Sequence, residues 1–155
     1  MSDSSKSHKT VRVLAVLVIV SGVVFIIAAI GSWAAVKAQL TAENITVAED
    51  AGRFAGEAVD GPFTAYEQAN VINKHALAAT GGKTYAELAQ DDPARQTAMT
   101  ASFLRASLFT SVLAFGVSAM AGGLGITLII IGVALGFVDR DPDEADQGKT
   151  QAATS

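Results

Sequence analysis

The stretch from Ser107 to Val138, SLFTSVLAFGVSAMAGGLGITLIIIGVALGFV, contains no charged residue. An α-helix rises about 1.5 Å per residue, and about 20 apolar residues are enough to cross the hydrocarbon core of a bilayer. Residues 107–138 therefore predict a transmembrane helix with length to spare. We expect the excess to tilt the helix or to continue it into the water on one side.

A second uncharged stretch, VLAVLVIVSGVVFIIAAIGSWAAV, occupies residues 13–36. Its position near the N-terminus and its basic flank would also suit a cleavable signal peptide. The apolar part is about twice as long as the h-region of such a peptide, so we predict a first span that is retained. The fold class that follows is an all-α membrane protein, a two-span transmembrane helical hairpin with a small, mostly helical extracytoplasmic domain.

The two spans divide the chain into five parts. Lys and Arg are denser in the flanks outside the two spans than in the segment between them, which predicts that both termini are cytoplasmic. We therefore expect a multi-pass protein of the plasma membrane. The parts are a cytoplasmic basic arm (1–12), transmembrane helix 1 (13–36), an extracytoplasmic helical domain (37–106), transmembrane helix 2 (107–138) and a disordered acidic cytoplasmic tail (139–155).

The segment between the spans contains no cysteine, so disulfides cannot stabilise it. Pro62 and the pair Gly81-Gly82 predict a helix from Phe63 to Ala79, with proline at its start and glycine at its end. Thr84 and Glu87 have the spacing of a capping box. They predict a short helix that runs through residue 88.

The last predicted helix is the longest. The run Asp91-Asp92-Pro93 is placed to cap it, and no helix breaker follows Pro93 before the apolar stretch, so we expect one helix from about residue 94 to residue 138. Met99 and Phe103 are expected to face the rest of the domain. Arg95 and Arg105 are expected to face water or lipid headgroups.

The small residues of the second span fall on one face of the predicted helix. Lipid tails provide no hydrophobic drive for helix pairing, so close backbone approach over small residues has to supply it. We predict a helix-packing face, whose partner is either the first span or a neighbouring chain; the alternative is that apolar helices simply contain much Gly and Ala. The predicted packing residues are Ser118, Gly122, Gly125, Gly132 and Gly136, with Ser111 on the same stripe.

The first span offers two small-residue faces for such a contact, and the sequence does not choose between them. They are Ala15, Gly22 and Ala29, or Ser21, Ala28 and Ala35.

Catalytic chemistry finds little support in the sequence. The two histidines, His8 and His75, fall on opposite sides of the membrane in the predicted topology, and a metal site needs several convergent ligands. A partial cluster of His75 with Glu67, Asn70 or Asn73 on one helix is more typical of surface residues. Neither span contains an ionisable residue, which argues against a proton or ion pathway. The net charge of −4 argues against nucleic-acid binding. We expect no catalytic residue, no cofactor, no metal and no small-molecule substrate.

Two runs carry a resemblance to a known family: residues 42–88, AENITVAEDAGRFAGEAVDGPFTAYEQANVINKHALAATGGKTYAEL, and residues 95–119, RQTAMTASFLRASLFTSVLAFGVSA. The chain resembles small two-span membrane proteins from actinobacteria, which automatic annotation often labels aromatic ring-opening dioxygenases. Such an enzyme holds ferrous iron with two histidines and one carboxylate. The predicted topology keeps the two histidines apart, so we do not adopt the label.

The resemblance implies an accessory subunit of the cytochrome bcc and aa-type oxidase supercomplex of the electron transport chain. Its expected partners are integral membrane subunits of that respiratory supercomplex, together with lipids, and its expected role is structural rather than catalytic. Two alternatives remain. One is a stand-alone, metal-dependent enzyme anchored in the membrane, and the other is a homo-oligomeric pore or sensor lined through Ser111 and Ser118.

Overall fold

The computed structural model describes the backbone of residues 2–138 and the side chains of residues 9–137. The predicted disorder of the acidic tail, residues 139–155, lies outside the described residues. The described chain forms three α-helices and no strand: α1 (Ser2–Ala42), α2 (Pro62–Ala79) and α3 (Ala94–Val138). The all-α prediction is thereby confirmed.

Two of the helices are long and apolar enough to cross a membrane, by length and composition: residues 9–42 of α1 and residues 94–137 of α3. Only 17% and 11% of their most apolar windows are buried inside the protein. The core helix of a soluble protein would be mostly buried, so this exposure favours helices that face lipid.

The described chain divides into two compact units. Unit 1 comprises the residues up to Ile30 and those from Met120 onward. In this unit α1 and α3 bury small residues against each other, among them Ala15 and Ala29, while large apolar side chains such as Ile27 and Ile130 are more than half exposed. That arrangement is the reverse of a water-soluble core and is typical of helices paired in lipid.

Unit 2 comprises Gly31–Ala119, so it contains the end of α1, all of α2 and the first part of α3. A hydrophobic core holds it together. The core residues are Leu40, Val47, Val59, Ala65, Ala69, Leu108 and Phe115. Because Leu108 and Phe115 belong to the uncharged stretch that starts at Ser107, the beginning of that stretch packs in the core of unit 2.

A loop with a short antiparallel pairing connects α1 to α2. Asn44, with φ 51°, lies just beyond the end of α1, in a backbone region that asparagine tolerates better than most residues. The N–H of Val47 then donates to the carbonyl of Glu57 at 2.8 Å, and the N–H of Val59 donates to the carbonyl of Ile45 at 2.9 Å. This pairing buries Val47 and Val59, each 1% exposed.

Helix α2 begins and ends as the sequence predicts. Pro62 occupies its first turn, and the N–H of Gly61 donates to the Thr64 hydroxyl at 3.2 Å. At its other end the N–H of Gly82 donates to the carbonyl of Leu77 at 2.7 Å. Gly81 and Gly82 have φ values of 63° and 84°, which glycine adopts without steric cost.

The segment between α2 and α3 departs from the prediction. The Glu87 carboxylate accepts hydrogen bonds from the N–H and the hydroxyl of Thr84, both at 2.7 Å, as in a capping box. Residues 84–88 nevertheless form a turn and not a helix. The predicted short helix is therefore wrong, because the cap is followed by too few residues before Pro93 to propagate a helix.

Helix α3 has the predicted bounds. The Asp92 carboxylate accepts from the N–H of Ala94 at 2.9 Å, so the predicted cap is confirmed. The prediction for the side chains of its first turns is partly wrong: Phe103 is 67% exposed, and the residue that packs inward is Ala98, 5% exposed. Phe103 is five positions from Ala98, which places the two side chains about 140° apart around the helix.

Candidate functional site

The closest approach of backbones in unit 1 is between α1 and α3 at glycines. A Cβ at Gly22 would lie 2.6 Å from the carbonyl oxygen of Gly125 and 2.8 Å from Cγ1 of Ile129. A Cβ at Gly132 would lie 2.5 Å from Cγ1 of Ile19 and 2.9 Å from the carbonyl oxygen of Ala15. No side chain larger than hydrogen fits at these positions without moving one helix.

Two other glycines of the predicted packing face, Gly122 and Gly136, differ in how close they lie to α1. A Cβ at Gly122 would stand in ordinary contact with Ala29, 3.5 Å away, whereas no atom lies within 4 Å of one at Gly136. The structure therefore brings Gly122, Gly125 and Gly132 against α1 and leaves Gly136 open.

Helix α1 contacts α3 in unit 1 through the face that contains Ala15, Gly22 and Ala29. Ala15 and Ala29 are 4% and 8% exposed, and Gly22 is also buried. The alternative face, Ser21 and Ala28, is exposed. Of the two small-residue faces that the sequence left open, the first is the one in contact with α3 in unit 1.

Ser118 belongs to unit 2. Its hydroxyl oxygen lies 2.8 Å from that of Ser32 on α1 and 2.8 Å from the carbonyl oxygen of Ala114, and the residue is 3% exposed. Beside it, the rings of Trp33 and Phe115 pack edge to face with centroids 4.6 Å apart. Polar and aromatic contacts thus join α1 to α3 within unit 2.

A second candidate site in unit 2 is a group of aromatic residues beside one arginine. We call Arg53, Phe54, Phe63 and Tyr66 the aromatic surface. These residues line a cavity of about 390 Å³ together with Pro62, Glu67 and Val112. Phe63 is 74% exposed and Tyr66 is 50% exposed. Large exposed apolar side chains around a concave surface are typical of a protein or lipid contact site.

The backbone of the aromatic surface is strained at one residue. Phe54 has φ 57°, which is unusual for a bulky residue, and its ring lies 5.3 Å from the guanidinium carbon of Arg53. The N–H of Glu57 donates to the carbonyl of Phe54 at 2.9 Å and helps to hold this conformation. Strain of this kind costs about 1–3 kcal/mol and is found more often at functional sites than elsewhere.

A charged cluster fixes the loop to α2. Oδ2 of Asp50 lies 2.8 Å from Nε2 of His75 and 3.0 Å from Nζ of Lys74. The hydrogen bond with His75, followed by that from Lys74, lowers the pKa of the Asp50 carboxyl from 3.8 to about 2. The hydrogen bond from the backbone N–H of Thr84, followed by that from its hydroxyl, likewise lowers the pKa of Glu87. Both groups are surface anchors that remain ionised in neutral solution.

The partial cluster that the sequence suggested on α2 is different in the structure. His75 pairs with Asp50 of the preceding loop, which the sequence does not predict because the two residues are 25 positions apart. Among the described residues, no three His, Cys, Asp or Glu side chains are grouped so as to hold a metal ion. His8 lies outside the described side chains.

The aromatic surface was also not predicted. Phe63 and Tyr66 are spaced three apart on α2, but Ala65 and Ala69 of the same helix are the residues that reach the core. The one available signal was a large apolar side chain, Phe63, in the first turn next to Pro62.

The comparisons with other proteins identify no relative: no protein-family model, no curated protein and no solved structure matches this chain.

Proposed function

We propose that the protein is a non-catalytic accessory subunit of a membrane complex, with an integral membrane subunit of a respiratory supercomplex as its partner. The observation that carries the proposal is the aromatic surface, an exposed cavity rim formed by Phe63 and Tyr66 beside Arg53. Aromatic residues and arginine supply much of the binding energy in protein interfaces.

The proposed membrane arrangement follows from the two apolar helices. In unit 1, α1 and α3 expose large apolar side chains and bury small ones, as helices paired in lipid do. We propose that unit 1 lies in the plasma membrane, that both termini are cytoplasmic and that unit 2 is extracytoplasmic. The contact of Gly22 with Gly125 supports a first span that stays with the mature protein.

The glycine contact also bears on where a partner binds. Gly22, Gly125 and Gly132 are occupied by the contact within the chain, so a partner must use other surfaces. Ser118, which would line the alternative pore, is 3% exposed and hydrogen-bonded to Ser32. These contacts favour a paired hairpin that presents unit 2 to a partner over a pore lined by the stripe.

The aromatic surface is a suitable docking site because it is preorganised. Tyr66 packs edge to face on Phe109, with ring centroids 5.8 Å apart, so its ring is already held in place. Rigid aromatic side chains lose little conformational entropy on binding, which leaves more of the contact energy for affinity.

The test is purification of the tagged full-length protein from its native membrane in mild detergent, with identification of the chains that co-purify. We expect respiratory subunits to co-purify with the natural protein and to be lost with the Phe63→Ala, Tyr66→Ala double variant. Phe103→Ala is the matched control, because Phe103 is 67% exposed on α3 and does not line the cavity. Equal loss with the control, or no respiratory subunit with the natural protein, would contradict the proposal.

The orientation has a test of its own. A reporter that works only outside the cytoplasm should be active when inserted at Gly81-Gly82 and inactive when fused after Ser155. The opposite result would reverse the topology but leave the docking proposal open to the co-purification test.

A further inference from the structure

A small cavity of about 50 Å³ lies in unit 2 between α2, the turn after it and α3. Six of the side chains that line it can donate hydrogen bonds. The hydroxyls of Thr84 and Ser102 already donate to Glu87 and to the carbonyl of Ala98. The other four are Asn73, Lys83, Tyr85 and Arg105. Within the described part of the chain, none of these four side chains donates a hydrogen bond to a protein acceptor. Donors from three separate segments thus converge on one space whose lining contains no carboxylate.

Arg105 makes this space unusual. Its Nε is buried and has no hydrogen-bond partner among the described atoms. The ring of Phe109, with its centroid 5.8 Å from the guanidinium carbon, covers one side of the group but accepts no conventional hydrogen bond. A buried charged donor without an acceptor costs more free energy than a typical hydrogen bond contributes, so such groups normally have a bound ion or water as a partner.

The charge around the cavity is positive. Lys83 and Arg105 line it, and no carboxylate does. The acidic residue nearest in sequence to Lys83 is Glu87, whose Oε2 accepts from both the N–H and the hydroxyl of Thr84 at 2.7 Å. Glu87 also interacts electrostatically with Lys83, so Arg105 is the cation of the pocket that has no acidic partner within the described chain.

We propose that this cavity, the Lys83–Arg105 pocket, binds the phosphate group of an anionic ligand, as free phosphate or as the headgroup of an anionic phospholipid. A volume of this size holds roughly four water positions, which is comparable to one tetrahedral oxyanion. Arginine binds phosphate through its planar fork of donors, and lysine adds a point charge. This ligand site is an addition to the proposed accessory role. Binding of free phosphate depends only on the fold of unit 2 and does not depend on that role.

Binding of a phospholipid headgroup also depends on the proposed membrane arrangement. Arg105 lies two positions before the uncharged stretch that starts at Ser107. Residues 107–119 of that stretch belong to unit 2, so Arg105 stands on the extracytoplasmic side of the proposed span, where basic residues attract anionic headgroups within about 10 Å of the membrane surface. A lipid held there would fix unit 2 at the membrane surface.

The experiment follows the Arg105 Nε–H signal by nitrogen–proton NMR in the full-length protein in maltoside detergent, which contains no phosphate. The signal is assigned with Arg105→Lys. Inorganic phosphate is titrated first, and phosphatidylglycerol is then added to a separate sample of mixed micelles. We expect a saturable shift of the Nε–H signal. A shift with inorganic phosphate identifies a free anion as sufficient, and a shift with phosphatidylglycerol alone identifies the headgroup.

Two variants make the result decisive. Lys83→Gln should weaken the binding that causes the shift by about tenfold or more, because it removes one charge-assisted contact. Lys37→Gln removes the same charge elsewhere in unit 2, where Lys37 pairs with Asp60 at 2.9 Å outside the pocket, and should leave the affinity unchanged. An Nε–H signal that responds to neither phosphate nor phosphatidylglycerol would mean a water-filled cavity and would overturn the proposal. Equal affinities of Lys83→Gln and the natural protein would overturn it as well.

Discussion

Gly22 and Gly125 exclude each other's side chains: a Cβ on Gly22 would lie 2.6 Å from the carbonyl oxygen of Gly125, and a Cβ on Gly125 would lie 2.7 Å from the carbonyl oxygen of Gly22. The relationship is reciprocal because both residues sit at the same crossing of α1 and α3 in unit 1. The obstacle in each case is backbone, which cannot rotate away as a side chain can. The helix pair is therefore sensitive to a single added methyl group.

Gly125→Ala should loosen the helix pair of unit 1. The new Cβ would force the helices apart or distort one of them, at a cost of about 1–3 kcal/mol. Thermal unfolding of the full-length protein in detergent measures the change. Gly123→Ala is the matched control, since no atom lies within 4 Å of a Cβ at that position. It should alter stability by less than about 0.5 kcal/mol. Equal effects of the two substitutions would mean that the glycine contact does not hold the helices together.

Phe115→Ala should destabilise unit 2 strongly, although Phe115 lies in an uncharged stretch that reads as a membrane span. The residue is 1% exposed, contacts the Trp33 ring and belongs to the core around Val47 and Val59. Truncation of a buried phenylalanine costs about 3–5 kcal/mol, because it leaves a cavity as well as removing apolar contact.

Hydrogen exchange of the Val47 and Val59 amides measures the effect of Phe115→Ala locally. Phe103→Ala serves as the control, since that ring is 67% exposed in the same unit. Unchanged protection of both amides in Phe115→Ala would show that the ring does not support the core.

Much of the fold was predictable because its signals are local. Two long uncharged stretches predict two long helices, and the bounds of α2 follow from Pro62 and Gly81 through effects of single residues on backbone conformation. The extent of unit 2 along α3 was not predictable in the same way. An apolar residue such as Leu108 looks alike in sequence whether it faces lipid or a protein core, and only the tertiary contacts distinguish the two.

The candidate sites were less predictable than the helices. The glycine stripe could be found because it repeats with the helical period, but the choice between the two faces of α1 depends on how the helices cross. The pairing of Asp50 with His75 and the convergence of Lys83 with Arg105 join segments that are distant in sequence. Hydropathy and helix-capping patterns act over a few neighbouring residues, so they do not predict contacts between distant segments.

Acid should release the loop from α2 at unusually low pH. The pKa of Asp50 is lowered from 3.8 to about 2 by its hydrogen bonds with His75 and Lys74. A carboxyl with a lowered pKa in the folded state contributes stability above its ordinary pKa, and that contribution is lost as the pH falls from about 4 to about 2. Carboxyl carbon NMR of Asp50 should therefore give a titration midpoint near 2.

The contribution of His75 to that midpoint can be separated from that of Lys74. His75→Ala removes the hydrogen bond with the largest effect and should move the midpoint of Asp50 towards its ordinary value of 3.8. Lys74→Ala should move it less. A midpoint near the ordinary value in the natural protein would mean that the cluster does not form in solution.

Removal of this chain should lower the yield and thermal stability of the respiratory complex without removing that complex's chemistry. The expectation follows from the proposed accessory role, in which unit 2 supplies contact surface and no reacting group. The complex is isolated from cells that lack the chain, and turnover is expressed per haem. We expect turnover per haem to stay within about twofold, while the complex dissociates more readily in detergent. A loss of turnover in intact complexes would contradict a purely structural role.

A second experiment distinguishes the structural role from catalysis by replacing polar residues that an enzyme would need. His75→Gln, Glu67→Gln and Glu87→Gln are combined in one chain, which keeps side-chain size and removes the groups able to bind a metal or move a proton. We expect the complex assembled with this chain to have unchanged turnover and unchanged metal content. The Phe63→Ala, Tyr66→Ala chain should assemble poorly instead, because the aromatic surface is the proposed contact. Loss of a stoichiometric metal in the first variant, with assembly intact, would favour an enzyme over an accessory subunit.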